Sequence, residues 1–494
     1  MTNLPTINMT DGYKLDHRNQ YPEGTTLCYS NFTCRSLKRF NSGVDFDNKV
    51  VFFGLQGVCI RLLIEDWDDN FFNQHIDDVT IDYARRINNY LGPNKIGTNH
   101  IRALHELGYL PVLIKALPEG SRVNARIPLW TIQNTLPEFF WLSNYLETQL
   151  SCELWKPPTS ATTAYEFRRL FDYWAYFTGS PKEAVQFQGH DFSFRGMCGV
   201  MDAASSGAAH LLSFSGTDTL PAIDYLEKYY KADSDKELVG VSVPATEHSV
   251  MCMGGQGDEI VTFDRLITEV YPTGIVSVVS DTWDFWKVVT EYLPALKNTI
   301  MARNGKLVIR PDSGTPADIL CGTARTDGNT PQERGLIQCL WDIFGGTFTK
   351  KGYKLLDEHI GAIYGDSITL KVAEEICSRL EVREFASVNW VAGIGSFTYQ
   401  NVTRDTLGTA IKATYGVVNG EGRAIFKAPK TDSGEKNSAK GLLRVEKEGD
   451  DFVLYENQTW DEEASGALEP VFYNSQMLRI QTLAEIREIL HGNK

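Results

Sequence analysis

Four aspartates in this chain, Asp218, Asp281, Asp312 and Asp366, each stand close behind an apolar run. A carboxylate placed there is ordinarily a helix N-cap, accepting from the free amides of the turn that follows. Four of them at equivalent ends of successive units would instead converge on one mouth of a barrel, which capping does not require. Carboxylates grouped in that way suit the hydroxyls of a sugar and a magnesium ion held mostly through water. Arg195 and Arg310 flank the same ends. The planar fork of a guanidinium matches a phosphate with paired hydrogen bonds, although a structural Arg–Asp pair would read the same way. The GIGS turn at 393–396 follows another apolar run and could cradle phosphate on its backbone amides, or be no more than a tight turn. Arginines, acids and a glycine turn together point to a phosphorylated sugar or a nucleotide. The sequence has no G-x-x-x-x-G-K-[ST], H-E-x-x-H or G-x-S-x-G string, so P-loop, zincin and nucleophile-elbow chemistry lack their signatures.

The elements that must position these residues repeat one event, a β-rich run ending in polar residues. The runs lie at 186–196, 208–218, 240–249, 274–286, 306–314, 360–367 and 385–396. Several open on near-continuous Val, Ile and Leu, as strands buried on both faces of a parallel sheet do. Helices are expected between them at 219–231, after Asp218, at 284–296, and at 367–381 with Ser367 as cap. Strand alternating with helix argues for βαβ units with right-handed crossovers. The number of runs exceeds one Rossmann half and approaches a barrel. An irregular α/β barrel is therefore expected, with an open doubly wound sheet as the competitor; either places its site at the strand C-terminal ends. The flanks read differently. Residues 1–150 mix short strands (TTLCYSNFTCR, VVFFGLQG) with amphipathic helices such as 134–150. After about residue 400 come strand-like pieces (IKATYGVV, GRAIFK, FVLYEN) and a terminal helix at 483–490, while 428–441 reads as an exposed mobile loop.

The chain has 494 residues, 42% hydrophobic and 22% charged, with a formal charge of −15. That length suggests two or three domains, or one large α/β unit with an elaboration. So acidic a chain would be repelled by polyphosphate backbones, which argues against general nucleic-acid binding. No apolar run reaches the roughly 18–20 residues that cross a bilayer, and the first residues lack a secretion signal. The nine cysteines are spread widely with no C-x-x-C pair, which fits reduced thiols in a cytoplasm.

A set of strings spanning nearly the whole chain in order resembles the nicotinamide phosphoribosyltransferase family. They are DGYKLDHRNQYP (11–22), YSNFTCR (29–35), VFFGLQG (51–57), HDFSFRG (190–196), FSGTDT (214–219), SVPATEHS (242–249), SVVSDTWD (277–284), IRPDSG (309–314), KGYKLL (351–356), YGDSI (364–368) and TRDTLGTAIK (403–412). DDVT at 77–80 looks only superficially like the paired-acid loop of type I phosphoribosyltransferases, since HIDDVTIDYARR reads as helix. The resemblance implies a type II enzyme: an irregular α/β barrel over 161–396 and a non-contiguous α+β domain built from 1–160 and 397–494. It implies a homodimer with sites at the subunit interface. The implied reaction joins nicotinamide to 5-phosphoribosyl 1-pyrophosphate (PRPP) in NAD salvage, with Mg²⁺ as cofactor and ATP as coupled substrate.

Residue roles follow from the matched motifs. Phe192 and Tyr13 would sandwich the pyridine ring, Tyr13 reaching in from the other subunit. Asp218 would accept a hydrogen bond from the carboxamide, with Ser277 nearby. Arg195 and Arg310 would hold phosphate or pyrophosphate oxygens. Asp281, Asp312 and Asp366 would bind ribose hydroxyls and the waters of magnesium, with Asp281 and Asp312 nearest the metal and Gly365 letting the backbone approach. Gly395, Ser396 and Arg404 would take the 5-phosphate. His248 matches the histidine that ATP phosphorylates in the family. Arg35, Lys412, Lys427 and Lys436 match basic positions near the phosphates. Two departures stand out: the glycine turn GIGSF (393–397) is shorter than the family's, and Asn401 stands where a lysine is expected. Nicotinate phosphoribosyltransferase, with the same fold and chemistry, is the close rival, and a non-catalytic nucleotide-binding relative is the distant one. Asp218 discriminates between the first two, since a carboxylate welcomes an amide donor and repels a carboxylate ligand.

Overall fold

The computed structural model describes residues 4–42, 46–324, 328–365, 367–427 and 438–492. Asp366, Lys436 and residues 428–437 of the expected mobile loop lie outside them.

The expected runs contribute strands to one sheet. They are Gly189–Asp191, Gly216–Thr217, Thr273–Val279, Asn304–Arg310, Ile360–Tyr364 and Trp390–Ile394. In space the sheet runs 216–217, 189–191, 390–394, 360–364, 304–310, 273–279. Every pairing in it is parallel. The two edges are not free. The Val241 amide donates to Ser215 (2.7 Å) and Ala245 bridges Ser277, so the stretch 241–246 lies between both edges and curls the sheet toward a barrel. An open doubly wound sheet does not fit those bridges. Because all strands point the same way, residues just past their C-terminal ends share one rim.

Elsewhere the local structure departs from expectation, for identifiable reasons. Residues 200–210 finish a helix, Val200–His210, and only Gly216–Thr217 of the expected 208–218 run is strand. The small residues Ala203, Ala204, Gly207 and Ala208 are buried, and a Cβ on Gly207 would stand 2.8 Å from that of Ala222 on the helix Leu220–Tyr230. A short apolar stretch of this kind does not reveal its period. The run at 240–249 makes only isolated bridges, since Pro244 has no N–H for a ladder. The helix Leu370–Val382 is capped by Thr369, whose hydroxyl accepts from the Val372 amide at 3.3 Å; Ser367 sits outside it with φ of 54°. The expected helix at 134–150 breaks up because a strand, Pro128–Asn134, runs into its start and Pro137 opens a new turn; only Leu142–Tyr145 and Glu147–Leu154 are helical. The terminal helix forms as Leu483–His491.

The second sheet is antiparallel. It joins Thr25–Cys34, Val112–Ala116 and Pro128–Asn134 to Thr409–Val418, Glu421–Ala424, Glu469–Tyr473 and Gln476–Met477. Its central pairing puts Tyr29 opposite Tyr415 and Asn31 opposite Lys412. Under it Phe32 stacks on Trp130 with ring centroids 5.2 Å apart. The parallel sheet has its own core around Phe171, Phe214, Ile309 and Trp390. All nine cysteines are free. Among the described residues no helix is long and apolar enough to cross a membrane.

Candidate functional site

Period-two alternation puts residues 190 and 192 on one face of their strand and its continuation. The His190 and Phe192 rings lie together, centroids 4.7 Å apart. Both line a cavity of about 430 Å³ inside the curled sheet, with Asp218, Ser242, Ser277 and Trp390. The fit around Phe192 is close. A Cβ on Gly393 would stand 2.6 Å from the ring, and one on Gly365 would meet both the ring (3.5 Å) and Asp312 Oδ1 (3.2 Å). Glycine at 365 and 393 therefore lets three strand ends approach one aromatic face.

Asp218 does not cap the following helix, whose N-cap is Thr219. Its Oδ1 accepts from His190 Nε2 at 3.0 Å and from Ser242 Oγ at 2.6 Å. Burial alone would raise this carboxyl, but those two hydrogen bonds, with Arg310 nearby, hold its pKa below the ordinary value. It is thus an ionised acceptor with one oxygen committed. Sequence reasoning missed His190 and Ser242, although period-two alternation back from Phe192, which the matched motif had singled out, carried the signal for His190. Ser277 is buried, and its hydroxyl has no hydrogen-bond partner among the described residues.

Elsewhere on the rim the acids link into a chain. Asp281 Oδ2 accepts from the Asp312 amide at 3.0 Å and from Ser313 Oγ at 2.6 Å. Asp281 Oδ1 is buried with no hydrogen-bond partner among the described residues, and His248 Nε2 lies 4.0 Å from it. His248 opens the helix His248–Gly254 and holds its Nδ1 3.1 Å from Thr282 Oγ1. Arg310 Nη2 donates to the Thr246 carbonyl at 2.6 Å, which ties the irregular stretch to the strand end. Across the rim, Arg195 is exposed on the turn Phe194–Gly196, and a Cβ on Gly196 would strike Ser396 Oγ. Gly395 faces open space, with nothing within 4 Å of where its Cβ would be.

The structure therefore gathers Phe192, Asp218, Ser277, Asp281, Asp312, Arg310, His248 and Gly365 around one mouth, with Arg195, Gly395 and Ser396 beside it. Of the remaining expected residues that are described, Lys412 lies in the antiparallel sheet, and Tyr13, Arg35, Arg404 and Lys427 lie in turns and connecting segments outside its strands. Tyr13 is 65% exposed; burial together with Asp11 and Glu147 raises its hydroxyl pKa, and Arg404 opposes them. Glu147 takes both Lys14, at 2.6 Å, and Lys412, at 3.5 Å. Arg35 Nε donates to the Gly408 carbonyl at 3.0 Å. Lys427 is exposed, its amide bonded to Ser438 Oγ at 2.9 Å. Arg404, likewise exposed, pairs loosely with Asp405 at 4.0 Å. This second group forms a mixed, largely basic face.

Comparison with known proteins adds three findings. Residues 187–475 match the model of the nicotinate phosphoribosyltransferase (NAPRTase) family, and residues 6–85 match that of the nicotinamide phosphoribosyltransferase N-terminal domain. The chain is 56% identical over 490 residues to the nicotinamide phosphoribosyltransferase of Acinetobacter baylyi, covering 98% of this chain and 96% of that one. It is 35% identical to the enzyme of that name from Mycoplasma pneumoniae, covering 87% and 94%. Among solved structures it superposes on the nicotinate-nucleotide pyrophosphorylase of Pyrococcus furiosus with a TM-score of 0.57 at 16% identity, over 98% of this chain and 94% of that one. For human nicotinic acid phosphoribosyltransferase the TM-score is 0.52 at 16% identity, over 97% and 92%. At those identities the structures speak for the fold alone.

Proposed function

Since the chain belongs to the nicotinamide phosphoribosyltransferase family, we propose that the cavity at its curled sheet is where the pyridine ring of nicotinamide meets the ribose C1 of PRPP. The enzyme transfers the 5-phosphoribosyl group to the ring nitrogen, giving nicotinamide mononucleotide and pyrophosphate in NAD salvage.

Phe192 stacks on the ring, an interaction of about 0.5–1.5 kcal/mol beyond burial. Asp218 accepts from the carboxamide N–H₂ through the oxygen that His190 and Ser242 leave open, and the Ser277 hydroxyl, without a hydrogen-bond partner among the described residues, completes the contact. Arg195 and Arg310 hold phosphate oxygens, Asp312 and Asp366 the ribose hydroxyls, and Gly395, Ser396 and Arg404 the 5-phosphate. The glycosyl bond breaks with positive charge growing at C1, so no protein nucleophile is needed. Holding ring and C1 in near-attack geometry supplies on the order of 7–11 kcal/mol.

Magnesium fits the acidic pair, because Asp281 Oδ1 is a buried carboxyl oxygen with no hydrogen-bond partner among the described residues, and Asp312 follows in the same chain of contacts. Asp281 and Asp312 would hold the ion, mostly through water, and it would supply charge neutralisation to the departing pyrophosphate. Asp281 itself anchors the Asp312 loop through two hydrogen bonds and faces His248. That placement, with His248 half exposed at the mouth, supports His248 as the group ATP phosphorylates. ATP should then raise the yield of mononucleotide from limiting nicotinamide, and His248→Ala should lose that increment.

The sheet shared by both chain ends supports one α+β unit made of 1–160 and 397–494 around the 161–396 barrel. The exposed Tyr13, on a face apart from the cavity, supports a homodimer with sites at the interface, and nine free cysteines support the cytoplasm as its place.

The observation that carries the assignment is Asp218, ionised and oriented in the cavity wall. A carboxylate in that wall repels nicotinate, which carries a like charge, and accepts from the carboxamide of nicotinamide, which carries none. Purified protein given PRPP with nicotinamide or nicotinate should turn over the amide. Efficient use of nicotinate would overturn the assignment in favour of the rival enzyme.

A further inference from the structure

His210, the last residue of the Val200–His210 helix, is fully buried and uses both ring nitrogens. Nε2 lies 3.0 Å from the Gly216 carbonyl oxygen and Nδ1 2.7 Å from the Tyr399 hydroxyl. A carbonyl can only accept, so Nε2 carries the proton; Nδ1 is left as acceptor and takes the Tyr399 O–H. Burial, only partly offset by Asp191, lowers the imidazole pKa to about 4, which keeps this neutral tautomer in place at physiological pH.

The two partners belong to opposite halves of the mouth. Tyr399 closes the short turn Ser396–Tyr399, and its amide donates to the Gly395 carbonyl at 3.2 Å. Gly216 lies two residues before Asp218, whose amide donates to the Asp191 carbonyl at 2.9 Å. The next residue, Phe192, donates its amide to Ile394 at 3.0 Å. Asp191 is itself fully buried close by. Its Oδ1 accepts from the Ser193 amide at 2.9 Å and its Oδ2 has no partner among the described residues. One helical turn before His210, a Cβ on Gly207 would stand 3.1 Å from that oxygen.

We propose that His210, acting through Tyr399, is a positioning residue that fixes the separation between the 5-phosphate turn and the carboxamide clamp. The proposal rests on the reaction assigned above. Two substrates are gripped at their outer ends, the phosphate at Gly395 and the amide at Asp218, and the bond forms between them. Any slack between the grips passes straight into the distance from ring nitrogen to C1. A purely packing role needs only volume, which an apolar side chain supplies without burying an imidazole, a hydroxyl and a carboxylate.

Tyr399→Phe removes one oxygen and leaves the ring. It should raise KM for both PRPP and nicotinamide and lower kcat about tenfold, with the melting temperature within a few degrees of wild type. His210→Phe should do the same, and the double variant should be no worse than His210→Phe alone, because both break one strap. His210→Gln, whose amide can donate to Gly216 and accept from Tyr399, should recover most of the activity. If His210→Phe does not fold, Tyr399→Phe and His210→Gln carry the test. Wild-type kinetics in Tyr399→Phe, or a KM shift for one substrate only, would overturn the strap. A wild-type chain that makes no mononucleotide would instead overturn the assigned reaction, and the strap with it.

Discussion

An aspartate whose one oxygen is shared by a histidine and a serine is an oriented acceptor rather than a loose charge, and that distinction is testable at Asp218. Replacing the carboxylate by an amide, Asp218→Asn, keeps the shape but offers a donor where nicotinamide also offers one. Losing a hydrogen bond to a charged group costs about 1.5–3 kcal/mol, so kcat/KM for nicotinamide should fall by about 10- to 100-fold. Nicotinate should lose much less, or gain, because its repulsion goes with the charge. His190→Phe leaves Asp218 ionised but lets it rotate. It should raise KM for nicotinamide with a smaller change in discrimination against nicotinate. Steady-state kinetics of both variants with both pyridines separate orientation from charge, and parallel losses for the two pyridines would refute the division of labour.

At the scale of elements, the chemistry-bearing strand ends were legible because a buried parallel strand leaves a continuous apolar run and then a polar stop. Ile360–Tyr364 and Trp390–Ile394 fall within the runs expected to hold them. Helix against strand was not legible where the run was short and small. Ala208 and Ala209, which open the run expected as strand, are apolar in either conformation, and only packing decides that they end the Val200–His210 helix. His190 was hidden inside a motif quoted for Phe192, and His210 in a stretch assigned to a strand. Buried titratable groups such as Glu259 leave no sequence trace. Glu259 opens the helix Glu259–Arg265, is 2% exposed, and its Oε1 has no partner among the described residues. Burial, opposed by Lys287 and aided by Asp284, raises its pKa from 4.5 to about 7. Between those values the folded chain keeps a proton that the unfolded chain releases, so stability from this group declines as pH rises through about 7. Glu259→Gln mimics the protonated form. Its melting temperature relative to wild type should therefore improve by a few degrees between pH 5 and pH 8. A difference that stays constant with pH would show that the carboxyl does not titrate in that window.

For the whole molecule the decisive fact is that the expected site residues fall on two faces. Phe192 lines the cavity, while Tyr13 stands exposed beside Lys14, which shares Glu147 with Lys412 of the antiparallel sheet. In the proposed homodimer, two copies related by a two-fold axis would bring each face to the other's partner in both directions at once. Subunit mixing distinguishes the cases. Phe192→Ala and Tyr13→Ala should each form homodimers with every site damaged. In a mixed dimer, if Tyr13 serves the opposite cavity, one site carries both lesions and the other carries neither. Co-expressing equal amounts gives mixed dimers as about half of the population, so about a quarter of wild-type activity should return. If Tyr13 instead serves the cavity of its own chain, every site in every dimer keeps one lesion and mixing restores nothing. Activity that returns only after co-expression, and not on blending the separately purified variants, would also show that the subunits exchange slowly once assembled.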